Sequence, residues 1–183
     1  MNILLKELKT TDFPIVKNWI DPKIFRIFRS PIDDAQLTRL LTKQQDGIQT
    51  DLGKKAIDRS TGDLVGFIHA VINAKNEYAH IQQIVVDPEM RHQGYGTDIL
   101  RCFLDICFRD YNLHRVQLCT DENNHAAISC YKKVGFQVDG LIRDITKEEG
   151  GYLGEYIFSI LDHEWIKLTK TGNETDSAET ESS

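Results

Sequence analysis

One short stretch of this chain already has the composition of a binding site. Arg91-His92-Gln93-Gly94-Tyr95-Gly96-Thr97 follows the apolar Ile84-Val85-Val86 and opens what reads as a helix. The first N–H groups of a helix have no intrahelical partners, and such donors attract anions. Glycine lets an anion come close to the backbone where a Cβ would obstruct it. Arg91 and His92, just ahead, can add charge and hydrogen bonds. The chemistry this suggests is a diphosphate cradle. It is not an ATP-type phosphate loop, which would end in Gly-Lys-Ser/Thr; here Gly96-Thr97 follows Tyr95 and there is no lysine. Nor is it a dinucleotide fingerprint, because the third glycine of that pattern would fall at Ile99. A loop whose glycines serve only to turn the chain into the helix is the remaining alternative.

The elements around the loop follow from periodicity and turn residues. Ile3 to Lys9 alternates as a strand, and Thr10-Thr11-Asp12 offers caps for a helix through Ile20. Asp33-Asp34 caps a second helix reaching Gln45, after the aromatic and basic loop 19–33. Strands are expected over Lys54–Asp58, Leu64–Asn73 and Tyr78–Val86, and their short links make an antiparallel meander. After Gly94, Ile99, Leu100, Phe103, Leu104, Cys107 and Phe108 fall on one helical face. Val116–Thr120 reads as a strand and Asn124–Val134 as a helix with Gly135 as its C′ residue. Strands Phe136–Ile142 and Tyr152–Leu161 close the pattern around the turn Glu148–Gly151. The class is α+β, a mixed α/β arrangement in one domain over residues 1–168, followed by an acidic, disordered tail over 169–183.

Composition narrows the partners. The 183 residues carry a net charge of −6, and four of those charges (Glu174, Asp176, Glu179, Glu181) lie in 171–183 with no basic residue. Residues 1–170 therefore carry −2 and have no basic surplus for nucleic acid. A cationic substrate is compatible with that charge but not required by it. No apolar run approaches the roughly 18 residues of a membrane span, and the N-terminus is charged within six residues. A cytoplasmic protein is expected, with no membrane partner. Cys102, Cys107, Cys119 and Cys130 form no C-x-x-C pair, so reduced, buried thiols are expected and no metal.

A second stretch sharpens the first. DENNHAAISCYKKVGF (121–136) resembles the asparagine-to-tyrosine helix of the GNAT N-acetyltransferase superfamily. Arg91-x-x-Gly94-x-Gly96 resembles that superfamily's acetyl-CoA signature, and the two motifs stand in the right order, about thirty residues apart. The likeness runs over residues 3–166. Its ending resembles the branch of ribosomal-protein N-terminal and spermidine acetyltransferases, although that branch's G-x-Y-x-D is here Gly151-Tyr152-Leu153-Gly154-Glu155.

The resemblance implies a mixed, mostly antiparallel sheet with flanking helices and a splayed cleft for acetyl-CoA, used as co-substrate without metal. It implies that Ile84, Val85 and Val86 pair with the pantetheine arm. Arg91, His92, Gln93, Gly94, Tyr95, Gly96 and Thr97 would hold the pyrophosphate, and Asn124 would contact the cofactor arm, which is compatible with its being an N-cap. Tyr131 corresponds to the general acid, although its spacing with Ala127 and Ile128 also suits an apolar face. No carboxylate stands where the family places its base; His80 falls near one such position and can take a proton near neutral pH, and a water relay is the alternative. Recognition of a small-molecule amine or peptide falls to the loop Trp19–Ile32, where Trp19, Phe25 and Phe28 either line an amine pocket or join the core. The final hairpin Thr146–Glu155 joins it, its Glu148, Glu149 and Glu155 either attracting a cation or standing as solvated turn residues. Homodimers are common in the family. The implied reaction is direct acetyl transfer to a primary amine of a protein N-terminus, polyamine, aminoglycoside or small metabolite; the alternative is a non-catalytic acyl-CoA sensor on the same fold.

Overall fold

Strand β1 (Ile3–Glu7) starts an antiparallel run through β2 (Gln49–Asp58), β3 (Leu64–Asn73) and β4 (Tyr78–Val86). These elements come from a computed structural model, which describes residues 2–19 and 49–170. The expected second helix, most of the 19–33 loop and the 171–183 tail lie outside the described residues. Between β1 and β2, Asp12 accepts a hydrogen bond from the Lys9 N–H (2.7 Å) and ion-pairs Lys55 (2.9 Å), fixing the start of α1 (Phe13–Trp19).

After β4 the chain crosses over through α2 (Tyr95–Asp105), which widens into a π turn over Ile106–Asp110. It returns as β5 (Arg115–Asp121), parallel to β4, as a helical crossover allows. Then follow α3 (His125–Val134), β6 (Gln137–Glu148), β7 (Gly151–Leu161) and α4 over residues 162–170. The sheet order is β1-β2-β3-β4-β5-β7-β6, with β4–β5 its one parallel pair among the described residues.

Strand alternation gives the sheet two unlike faces. One packs against α2 and α3: Ile99, Leu100, Phe103 and Leu104 join Leu52, Ile68, Leu118, Phe158 and Ile160 in the main core. Each such side chain stabilises the fold by roughly 1.5–3 kcal/mol relative to exposure. On the other face, Leu8, Val16, Phe67 and Val85 form a smaller cluster with Phe13 and Trp19. Among the described residues, no helix is long and apolar enough to cross a membrane.

The ends of α3 and α4 show how local chemistry sets the frame. Gly135 closes α3 at φ +117°, its N–H donating to Tyr131 O and Lys132 O. Sequence reading did not anticipate α4. Its start is capped by Glu164, whose Oε2 accepts from Leu161 N (2.9 Å), in the manner of an N3 glutamate. Buried Trp165 donates to Asp105 (3.1 Å) and docks the helix on α2. At Gly135 a Cβ would lie 2.4 Å from Leu168 of α4, in a backbone region closed to L side chains. Gly135→Ala is therefore expected to destabilise the protein by at least ~1 kcal/mol. Urea denaturation checks this; an unchanged midpoint would contradict it.

Candidate active site

The site begins where two strands part. The parallel ladder between β4 and β5 runs from Tyr78↔Arg115 to Ile81↔Leu118 and stops. At that point β4 carries a bulge: His69 of β3 pairs with Gln83 while Ala70 pairs with Ile81, leaving Gln82 extra. Bulges bend a strand and increase its twist. Beyond it β4 stays with β3 and β5 stays with β7. Ile84, Val85 and Val86 thus keep one backbone edge on β3, while the other faces a cleft of about 380 Å³.

The loop expected to bind an anion forms one end of this cleft. Asp87 starts a short turn by accepting from Glu89 N (3.0 Å), and Arg91 Nε donates back to Val86 O (3.4 Å). His92 (φ +61°) and Gly94 (φ +92°) both take left-handed conformations. Successive turns of that kind aim backbone N–H groups into a concavity suited to an anion. Gly94 is the N-cap of α2 and supplies no side-chain cap, so the first-turn donors stay open. At Gly96 a Cβ would sit 3.6 Å from Cys130 Sγ and 3.7 Å from Val86.

A buried carboxylate holds the loop in place. Asp58, at the end of β2, accepts from Tyr95 Oη (2.8 Å), Ser60 N (2.7 Å), Ser60 Oγ and Asn2 Nδ2 (3.0 Å). Hydrogen bonds from Ser60, then Tyr95, lower its pKa from 3.8 to about 2. The same bond raises that of Tyr95.

The opposite wall is α3. Asn124 caps it, its Oδ1 accepting from Ala127 N (3.2 Å). Tyr131 is only 6% exposed, edge-on to Phe158 at 5.6 Å, so it is part of the core and of the cleft wall at once. No protein group among the described residues hydrogen-bonds its hydroxyl. Burial pushes its pKa upward, keeping the phenol protonated at neutral pH.

Ile84, Val85, Val86, Arg91, His92, Gly94, Tyr95, Gly96, Thr97, Asn124 and Tyr131 line this one cleft, together with Trp19. Gln93 lies outside the lining, its amide turned to Glu89 O (3.4 Å). His80 lies outside it as well, one rung below the split, its Nδ1 accepting from Gln117 Nε2 (3.2 Å). Burial lowers its pKa, so the ring is neutral near pH 7. Sequence reading missed Met90, Ala126, Ala127 and Cys130 as lining residues. The spacing of Ala127 with Cys130 (i, i+3) and with Tyr131 (i, i+4) was the available signal. Glu155, read as part of the last hairpin, instead lies inside β7, buried and paired with Asp121 of β5. The four cysteines are free, and no cluster among the described residues could hold a metal.

A split parallel pair, an open helix start and a buried tyrosine between them are an arrangement suited to acyl transfer. Residues 20–136 match the acetyltransferase (GNAT) family, and the chain belongs to it. It is 30% identical over 115 residues to the spermidine N(1)-acetyltransferase of Escherichia coli (strain K12), covering 62% of this chain and 61% of that one. It is 26% identical over 97 residues to an L-amino acid N-acetyltransferase of the same organism, covering 52% and 60%. The chain thus spans less than two thirds of the length of either relative. Its fold matches the crystal structure of spermidine N-acetyltransferase from Vibrio cholerae in complex with CoA and spermine. The TM-score is 0.76 at 23% identity, over 90% of this chain and 98% of that one.

The Asp58 network makes a pH prediction. A carboxylate whose pKa is depressed on folding stabilises the fold fully above its unfolded value, near 3.8 here. That contribution is lost as pH falls through about 2. Between about pH 4 and pH 2 the wild type should therefore lose more thermal stability than Asp58→Asn. Parallel melting curves for the two proteins would contradict the assignment.

Proposed function

We propose that the protein transfers the acetyl group of acetyl-CoA directly to a primary amine. The observation that carries this reading is that Tyr131 and the open α2 start line one cleft, along the unpaired edge of β4. In this reading the backbone of Ile84–Val86 pairs with the pantetheine arm as a further strand. The N–H groups of the 91–97 loop hold the pyrophosphate, and the thioester lies in the split. Asn124 adds a polar contact from the α3 start.

The amine attacks the thioester carbon, the C–N bond forms, and the tetrahedral intermediate collapses with cleavage of the C–S bond. Tyr131 gives its phenolic proton to the departing thiolate. Its raised pKa suits this role: the dry surroundings that disfavour phenolate also make a thiolate more basic. Before attack, the amine gives up a proton on the far face of the sheet. His80 is the proposed acceptor there, once Gln117 turns from Nδ1, with a water relay as the alternative. Acetylation of small amines is in keeping with the spermidine N(1)-acetyltransferase relative.

Calorimetric titration with CoA and thiol release from acetyl-CoA across an amine panel test the reading. Saturable CoA binding below millimolar concentration is expected, with turnover on at least one amine. Binding with every amine silent would make the protein an acyl-CoA sensor instead. Tyr131→Phe should lower kcat at least about tenfold with CoA affinity retained. An unchanged kcat would remove Tyr131 from the reaction.

A further inference from the structure

Two buried side-chain atoms among the described residues lack a hydrogen-bond partner, Gln83 Oε1 and Glu155 Oε1. Native interiors rarely leave such groups unmet, and each lost partner costs about 1–3 kcal/mol. Both atoms are acceptors, and strand register puts both on one face of the sheet. Gln83 is opposite His69, and His80 is opposite Val71, so Gln83 and His80 share a face because the bulge consumes Gln82. His80 pairs with Gln117, and Asp121, four residues further along β5, pairs with Glu155. Gln83 from β4 and Glu155 from β7 therefore flank the split from its two sides. Both are on the face away from α2 and α3.

We propose that Gln83 and Glu155 form the acceptor subsite and bind the ammonium group of an aliphatic amine. An ammonium has three N–H donors and no acceptor, the complement of two orphaned acceptors. The inference rests on the amine-acetylation reading and names the side from which the amine arrives.

The surroundings support a cation. Glu155 is only 6% exposed. Burial, then the charge of Asp121, raises its pKa above the ordinary 4.5, and an arriving cation relieves both effects. The Cys119 thiol is beside it, on the first β5 residue beyond the ladder; burial, then the Glu155 charge, pushes that thiol up to about 11. Two of the cations on this face are engaged elsewhere, Lys55 with Asp12 and Arg115 with Asp139. An acceptor with its own carboxylate near the amine would meet Glu155 and Asp121 as like charges. The subsite therefore favours an aliphatic ammonium over a free amino acid.

The test is calorimetric titration of CoA-saturated protein with spermidine, and initial rates with propylamine against β-alanine. Wild type should bind spermidine and use propylamine at least about tenfold better than β-alanine. Glu155→Gln keeps the side-chain volume and removes the charge. It should weaken spermidine binding at least about tenfold, leave CoA affinity as it was, and leave the melting temperature equal or higher. Gln83→Leu should weaken spermidine binding by a smaller factor without affecting CoA. Unchanged spermidine binding in Glu155→Gln, or a lower melting temperature with loss of CoA binding, would overturn the proposal. No spermidine binding by wild type would overturn it too, and so would a preference for β-alanine. If Glu155-dependent binding is found while no amine is acetylated, the transfer reading falls and the ammonium subsite stands.

Discussion

The parting of β4 from β5 is the constraint on which the site depends. Parallel strands need a long crossover, and here α2 provides it, so the start of α2 falls at the mouth of any gap between them. Once the ladder stops at Ile81↔Leu118, the far edge of β4 has unpaired backbone groups. When such groups are closed off from water they must find a partner. One edge strand, one helix start and one buried tyrosine then converge without any of them being individually unusual.

The rest of the molecule holds that gap open. Asp58 ties Tyr95, and so the first turn of α2, to the end of β2. Thr97 Oγ1 meets Cys130 Sγ at 3.5 Å, setting the spacing of α2 from α3. Beneath α3, Tyr131 packs on Phe136 and Phe158, so among the described residues the ring is positioned by core packing and not by a polar partner. Rigid walls of this kind are what a site needs if its contacts are to favour one reacting geometry.

Legibility followed the range of the interactions. Strands β3 and β4 were readable at their observed bounds because turn residues bracket apolar runs. Asn124 and Gly135 announced both ends of α3. β2 starts at Gln49, earlier than expected, because its polar first half is held by pairing with β3 and not by its own pattern. β6 runs on to Glu148 as an exposed edge, where no buried face imposes alternation. The 91–97 loop and the Asn124 cap were legible as local structure because turns and caps are set by neighbouring residues. Glu155 was not: its burial comes from the β5–β7 register, which no local pattern encodes. The hydrogen-bond partner of His80 is likewise distant, Gln117, 37 residues away in sequence.

Amide hydrogen exchange with and without CoA tests the central claim most directly. If the split presents the free edge of β4 and the open start of α2 to the cofactor, CoA should slow exchange at residues 84–86 and 94–97 together. Exchange unchanged at both segments in the presence of saturating CoA, or protection confined to other parts of the sheet, would contradict the account.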